Sequence, residues 1–467
     1  MPATRSARRW AEAAAALAVA AVLGGCVTRP APARTPRVPV VTLPPDTTTP
    51  PVPPAPPPAA PPPAVEPPPV APVANAPAVS VGLVVDTSRI AVTSRAGFRV
   101  LLPDGTDVGT VQAGDTAVFT ESGGTVSLST HGLPGSAMRI PERIAGHGLQ
   151  PPITLRPLSA LGTVIARGAP YRGELLVQRA PGGGLTLVNR LDMETYLLGV
   201  VPRELGRVDE TVYQAVKAQA VAARTYAVGY MGRRSAQGFD VYATVEDQVY
   251  GGAAAENELV SRAVRETAGE ILVHGGRPIT AYYHSTCAGQ TAAIDEVWNN
   301  PPVPYLVSVR DVDPRTGEAY DRSSSRFRWT ETWTHADLVN TLNRTLRDSL
   351  GGRRITRITD MRVLERTPSG RVRAMRIETD AGSFTVGRDR VRWILVPNRG
   401  GILNSSKFDV RLVRSNGRVM EIVAEGGGWG HGIGMCQVGA MGRARAGQDY
   451  RTILTTYYQG TVIEKRY

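Results

Sequence analysis

Between Val79 and Leu191 apolar and polar residues alternate in short runs, "VGLVVDTSRIAV", "GFRVLLPDGTDVGTV", "TVSLST" and "GELLVQRAPGGGLTLVNRL". Asp104-Gly105 and Gly182-Gly183-Gly184 punctuate them, so this stretch predicts β-hairpins and small sheets. The rhythm breaks at "ETVYQAVKAQAVAARTYAVGYM", where Val212, Val216, Ala220, Ala223, Ala227 and Tyr230 recur at spacings of three and four. That period predicts an alanine-rich helix of about five turns, with Asp209 as its N-cap. "AENELVSRAVRET" and "THADLVNTLNRTL" predict further helices, and "TRITDMRVLERT" with "RVRAMRIETDAGSFTVG" predicts hairpin strands. A glycine-rich loop, a helix from about Cys436 and another near Asp449 close the chain. The sum is an α+β fold of mixed small sheets and hairpins around a central Ala-rich helix, not a regular βαβ alternation.

The first residues follow other rules. Arg5, Arg8 and Arg9 precede an apolar run from about Ala13 to Leu23, too short to span a bilayer and charged like an export signal. The run ends in Leu23-Gly24-Gly25-Cys26, similar to a bacterial lipobox, in which the cysteine is acylated. The other reading is a plain signal peptide with an incidental cysteine; on either, the protein leaves the cytoplasm. Most of the chain's 38 prolines then crowd into residues 30–78, which predicts a stiff, solvated polyproline-II spacer. The expected organisation is a lipoprotein-type signal at 1–25, a proline-rich linker at 26–78, a β-rich leader at 79–184 and a main domain at 185–467. Formal net charge is +12, and it falls mostly beyond the linker without forming a basic run. For an exported protein this points away from nucleic acid and towards a polyanionic envelope polymer.

Candidate chemistry starts at "GVVPREL", residues 199–205. Glu204 is either a solvated helix-entry charge or an acid mounted at a strand-to-helix joint that Pro202 and buried valines anchor. Partial burial there would raise its pKa and suit it to general-acid work. Lys217 and Arg224, seven apart, share a helix face and are either a solvated stripe or sugar ligands. "YYHSTC" groups His284, Ser285 and Cys287, but no spacing supplies the orienting group of a nucleophilic triad. His284, Cys287, His431 and Cys436 could together ligate zinc if their loops met. A Cys287–Cys436 disulfide and two small buried thiols are the alternatives. "GGGWGHGIGMCQ" lacks the Lys-Ser/Thr of a phosphate loop, so its glycines suit close approach of a glycan instead. Trp429 there is a sugar platform or plain core.

"YLLGVVPRELG" followed by "AVKAQAVAARTYAV" resembles the signature of the SpoIID/amidase-enhancer family, stage II sporulation protein D and its relatives. "DQVYGG" at 247–252, "AYYHSTCAGQT" at 281–291, "PYLVSV" at 304–309 and "GGWGHGIGMCQVGAMG" at 427–442 are similar to further family phrases, in the family's order, over roughly residues 185–467. The resemblance implies a lytic transglycosylase that cleaves between N-acetylmuramic acid and N-acetylglucosamine in peptidoglycan strands stripped of stem peptides. It maps the catalytic glutamate onto Glu204. It offers Lys217, Gln219, Arg224, Gln248, Tyr250, His284, Ser285, Trp429, His431 and Gln437 as sugar-binding candidates. It also allows zinc near the histidine loop, although no cofactor is required. The family's second name implies another role, a non-catalytic activator of a separate cell-wall amidase. Location in the cell envelope, anchored through a lipid on Cys26, follows on either reading.

Overall fold

The computed structural model describes residues 75–132 and 148–467. The signal segment, Cys26 and the proline-rich stretch up to residue 74 lie outside the described residues. Two sheets carry the alternating runs. A seven-stranded sheet orders Val241–Tyr242, Ala78–Thr87, Leu185–Asp192, Glu174–Arg179, Ile153–Pro157, Phe98–Leu101 and Asp107–Val111. All its pairings are antiparallel except that of Ala78–Thr87 with Val241–Tyr242. A five-stranded sheet holds Thr125–His131, Thr116–Ser122, Arg89–Thr93, Val164–Ala166 and Ala169–Tyr171. In Arg89–Thr93, Ile90 and Val92 are buried while Arg89 and Ala91 face out, as a half-buried strand requires.

Strand Leu185–Asp192 runs directly into helix α1, Met193–Leu205, where Asp192 accepts the Thr195 N–H at 3.0 Å. The expected strand-to-helix joint at Glu204 is therefore corrected. "YLLGVVPREL" is helical, and Glu204 stands in the last turn of α1. Every residue from Met193 to Val201 is buried, so the helix is enclosed all round and shows no amphipathic period to read. Pro202 sits near enough to the end to remove just one backbone bond, and Gly206 closes the turn with its N–H on the Pro202 carbonyl at 3.1 Å. Gly199 lets Tyr250 lie on this helix, since a Cβ there would stand 2.5 Å from the Tyr250 ring. Gly199→Ala is expected to cost ~1–3 kcal/mol through overpacking, read as a lower urea midpoint.

Helix α2, Tyr213–Tyr230, is the central alanine-rich helix, five turns long as expected. Asp209 caps the short 3₁₀ turn Glu210–Val212 that leads into it, rather than α2 itself. Helix α3, Glu258–Glu266, packs beside α2, with Val260, Ala263 and Val264 inward. These helices and both sheets share one hydrophobic core that reaches from Val79 to Tyr458.

A second core lies between residues 329 and 424. Trp329–Thr334, Arg418–Gly426 and Phe408–Ser415 form one sheet, and Ile358–Arg366, Val372–Thr379 and Gly382–Val386 another. Helix α4, His335–Thr345, joins them, capped by Thr334. Trp333, Leu338, Leu342, Ile355, Met375 and Ile422 are fully buried among them. This module interrupts the main domain between two segments that pair again beyond it. Tyr283–His284 lies parallel to Met435–Cys436. Helices α5, Gln437–Arg445, and α6, Tyr450–Tyr457, follow, with Cys436 and Asp449 as their caps.

Candidate functional site

Glu204 projects from the end of α1 against the 243–250 loop, where the Val249 N–H donates to its Oε1 at 3.1 Å. Its residue is half-buried. Burial pushes the carboxyl above the usual glutamate range; the Val249 bond and polar contacts from Gln437 and Tyr283 offset part of that rise. No other charged side chain figures among those causes. The groups that bear directly on this carboxyl are thus neutral and polar.

Three glutamines build a ring around Glu204. Gln248 accepts from the Tyr196 hydroxyl at 3.1 Å and donates to the Tyr283 hydroxyl at 3.0 Å and the Ala223 carbonyl at 3.2 Å. Gln437, on the first turn of α5, donates to Gln219 at 3.4 Å, and the Gln219 amide nitrogen is buried without a partner among the described residues. Gln219, Gln248 and Gln437 therefore gather about Glu204. Tyr196 and Tyr283 join them unforeseen. Tyr196 is hidden in an apolar run, whereas Tyr283 stands directly before His284 in a phrase already singled out.

The other residues on α2 go elsewhere. Lys217 pairs with Glu266 at 2.5 Å, its ammonium over the Tyr213 and Tyr450 rings. Arg224, 0% exposed, bonds Glu194 through Nε at 2.7 Å and Nη2 at 2.6 Å. Two residues of a helix subtend about 200°, so Gln219 faces the site while Lys217 and its partner at 224 face away. Tyr250 is a buried wedge whose hydroxyl donates to Asn189 at 2.8 Å. Asp240, beside the edge strand Val241–Tyr242, is engaged by the Ser80 and Gly232 N–H groups at 2.9 and 2.7 Å.

Trp429 is 47% exposed, which removes it from the core, and the Arg326 guanidinium lies 5.1 Å from its ring centre. Its backbone pairs both ways with Thr286, so it stands beside half-buried Ser285. His431 is spent on the backbone. Its Nδ1 accepts the Ile433 N–H at 3.0 Å and its Nε2–H donates to the Tyr283 carbonyl at 3.0 Å. Burial lowers its pKa to about 4, so the ring is neutral and fixes the loop that carries Tyr283.

Of the four expected metal ligands, three converge. His284 Nε2, Cys287 Sγ and Cys436 Sγ lie within 4.8 Å of one another, all buried. His431 stands apart because both its nitrogens are engaged. His284 donates Nδ1–H to the Ile433 carbonyl at 3.1 Å, which leaves Nε2 a bare lone pair without a partner among the described residues. Backbone N–H groups of Cys287 and Gly439 point at Cys436 Sγ from 3.2 and 3.3 Å. Asp311, 3.3 Å from Cys287 Sγ, is held by Arg443 and the Tyr457 hydroxyl, and Asp321, 3.8 Å from Cys436 Sγ, accepts the Ala288 and Gly289 N–H groups. Without a cation, burial raises both thiols, Cys436 to about 11, and the sulfurs keep their protons unbonded to each other. Two cysteine sulfurs and an imidazole nitrogen are donor types that zinc takes, and three of its usual four positions are present.

Two larger cavities, of about 670 and 890 Å³, are lined largely by the second module and touch none of the Glu204 ring.

Comparison with known proteins adds the following. Residues 181–274 match the SpoIID stage II sporulation protein model, and residues 292–434 match a domain of unknown function, DUF8618. The chain is 34% identical to an uncharacterized protein of Brachyspira hyodysenteriae, across 60% of this chain and 68% of that one. It is 31% identical to stage II sporulation protein D of Bacillus subtilis, across 60% of this chain and 76% of that protein. It is 30% identical to the Bacillus subtilis amidase enhancer, across 57% of this chain but 40% of that protein.

Proposed function

This chain belongs to the SpoIID family of stage II sporulation protein D and the amidase enhancer, and from that premise we propose that it is a peptidoglycan lytic transglycosylase with Glu204 as its one acid/base group. Family membership places its role at the cell wall. The observation that carries the finer reading is the half-buried Glu204 carboxyl, its pKa raised by burial, held by the Val249 N–H with Gln437 and Tyr283 beside it.

A hydrolytic glycosidase uses two carboxyl groups, one to protonate the leaving oxygen and one to attack or to activate water. With a single carboxyl the chemistry closes on the substrate itself. Protonated Glu204 gives its proton to the glycosidic oxygen as the bond from the muramic acid C1 breaks. The resulting carboxylate takes the proton of the same sugar's C6 hydroxyl as O6 bonds to C1. One bond breaks, one forms, the proton returns to Glu204 and no water is consumed. Burial keeps the acid form populated at higher pH than an exposed glutamate would. Val249 N–H steadies the carboxylate between the two transfers. Exposed Trp429, with half-buried Ser285 beside it, offers a face to the sugars, while the buried amides of Gln219, Gln248 and Gln437 shape the wall behind the carboxyl. Lys217, Arg224, Tyr250 and His431 support the site from behind.

The second reading is a peptidoglycan-binding, non-catalytic enhancer of a cell-wall amidase, favoured by the likeness to the protein of that name. Mass spectrometry of products from purified, peptide-free glycan strands decides. The lyase leaves 1,6-anhydro ends, lighter by one water than hydrolytic ends. Intact strands together with stimulation of an added amidase would establish the enhancer instead.

No cofactor enters these steps. Zinc, if bound, would be held by His284, Cys287 and Cys436 and would tie together the two paired segments that flank the second module. Exhaustive chelation is then expected to lower the melting temperature. An unchanged melt with no metal in the purified protein assigns the two sulfurs as buried thiols. The described residues contain no helix long and apolar enough to cross a membrane. The lipobox-like Leu23-Gly24-Gly25-Cys26 is the ground on which we assign membrane attachment to a lipid on Cys26 and action to the extracytoplasmic side.

A further inference from the structure

We infer that the Arg234–Asp247 ion pair is the positioning device for Glu204, acting through the loop that carries Val249; this rests on the reading of Glu204 as acid/base.

The loop runs from Ala243 to Tyr250 and is closed at its base by the Tyr250 N–H on the Ala243 carbonyl at 3.3 Å. Its tip stands out in solvent, closed by the Asp247 N–H on the Thr244 carbonyl at 3.1 Å. Val245 is 88% exposed, and no strand pairs with it. Yet the two residues before its end do the most exacting work in the site. Gln248 threads between Tyr196 and Tyr283, and Val249 presents its N–H to Glu204. A loop with an exposed tip needs an anchor between tip and site, and Asp247 is the residue at that point.

Asp247 has a side chain only 1% exposed and is the acceptor of a three-way knot. Arg234 Nε and Nη2 reach its two oxygens at 3.0 Å each, a two-pronged contact. The Tyr242 N–H adds a third bond at 2.8 Å. The Arg234 guanidinium lies flat over the Tyr242 ring, 4.4 Å from its centre, and the Tyr242 hydroxyl donates to Gln237 at 2.7 Å. Arg234 leaves the turn after α2, and Tyr242 belongs to the edge strand of the seven-stranded sheet. The knot therefore ties the loop to both the central helix and the sheet. Neither residue touches Glu204, so their effect travels through the backbone of 247–249.

The test uses the full-length protein and three variants, Arg234→Met, Asp247→Asn and the conservative Arg234→Lys, each first shown by its melting curve to be folded at the assay temperature. Hydrogen–deuterium exchange of the peptide covering 243–250 is expected to speed up at least about tenfold in Arg234→Met and Asp247→Asn, as local opening becomes cheaper. Exchange in α2 is expected to stay put. On peptide-free glycan, kcat is expected to fall ~10- to 100-fold, the scale of a displacement near 1 Å, with KM within about twofold and Arg234→Lys in between. Unchanged exchange in 243–250, or a faster loop with wild-type kcat, overturns the inference. A wild type that makes no anhydro ends at all overturns the lyase reading instead, and the exchange data then report on the anchor alone.

Discussion

Glu204→Gln is expected to cut the formation of 1,6-anhydro ends by ~10²- to 10⁴-fold, the range for removal of a general acid/base. The amide keeps the shape and can still accept the Val249 N–H, so binding of glycan should persist and the loss should fall on kcat. Product mass spectrometry on peptide-free strands reads this directly. The variant also carries a stability signature whose sign follows from the pKa. Burial raises the folded-state pKa above the unfolded one. The folded chain therefore holds this proton more tightly, and the resulting stabilisation is present below the unfolded pKa and lost as pH rises through the folded value. At neutral pH the wild type keeps an ionised group where it is penalised, and Gln does not. Glu204→Gln should melt higher than wild type at neutral pH, with the gap closing towards pH 4. Wild-type activity should likewise fall as pH climbs through the raised pKa, because the acid form is the proton donor. An amide variant of full activity would end the catalytic reading.

The largest effect on stability is expected at Arg224. Glu194 and Arg224 form a bidentate pair sealed inside the main core, side chains 6% and 0% exposed. Glu194 also accepts the Gly269 N–H at 3.2 Å and the Tyr467 hydroxyl at 2.6 Å, while Arg224 donates to the Glu270 and Val264 carbonyls. The knot thus joins α1, α2, α3, the strand Glu270–His274 and residue 467. Arg224→Met strands a buried carboxylate, at a cost of ~3–5 kcal/mol, which is a large share of the ~5–15 kcal/mol that holds an ordinary domain together. Urea denaturation should show a much reduced midpoint, and Arg224→Lys should not restore it, since an ammonium cannot reproduce the fork. Adding Glu194→Leu to Arg224→Met should recover part of the loss, because the stranded charge goes with it. A stable Arg224→Met protein with weakened glycan binding would return Arg224 to the list of sugar ligands.

How much of this was legible in the sequence differs from element to element. The alternating runs became strands, and the helices around Val260 and Leu338 lie where their periods put them because each buries one face, while the helix around Val216 lies where its apolar spacing put it although residues 218–227 are all buried. Helix α1 escaped because it is enclosed on every side, and a run with no polar face carries no period. The separate core at 329–424 was legible as hairpins and a helix but not as a module, since nothing local says that Trp333 and Met375 meet each other rather than Val216. Glu204, Gln219, Gln248 and Gln437 came through a family likeness, each within a quoted phrase. Their mutual arrangement did not, nor did the division of labour on α2. Residues 217 and 224 were rightly placed on one face, but which face looks at the site is fixed by Glu266 and Glu194, far off in sequence. His431 looked like a ligand by type and turned out to be a brace for the backbone.

The parallel contact of Tyr283–His284 with Met435–Cys436 has a consequence for timing. His284 and the Ile433 carbonyl it grips are 149 residues apart. Such distant closure is slow and comes late in folding. A chain still emerging, with its last forty residues unfinished, has Glu204 and its helix but not Gln437 or the brace behind Tyr283. The surroundings of Glu204 are thus completed only when the final segment of the chain is in place.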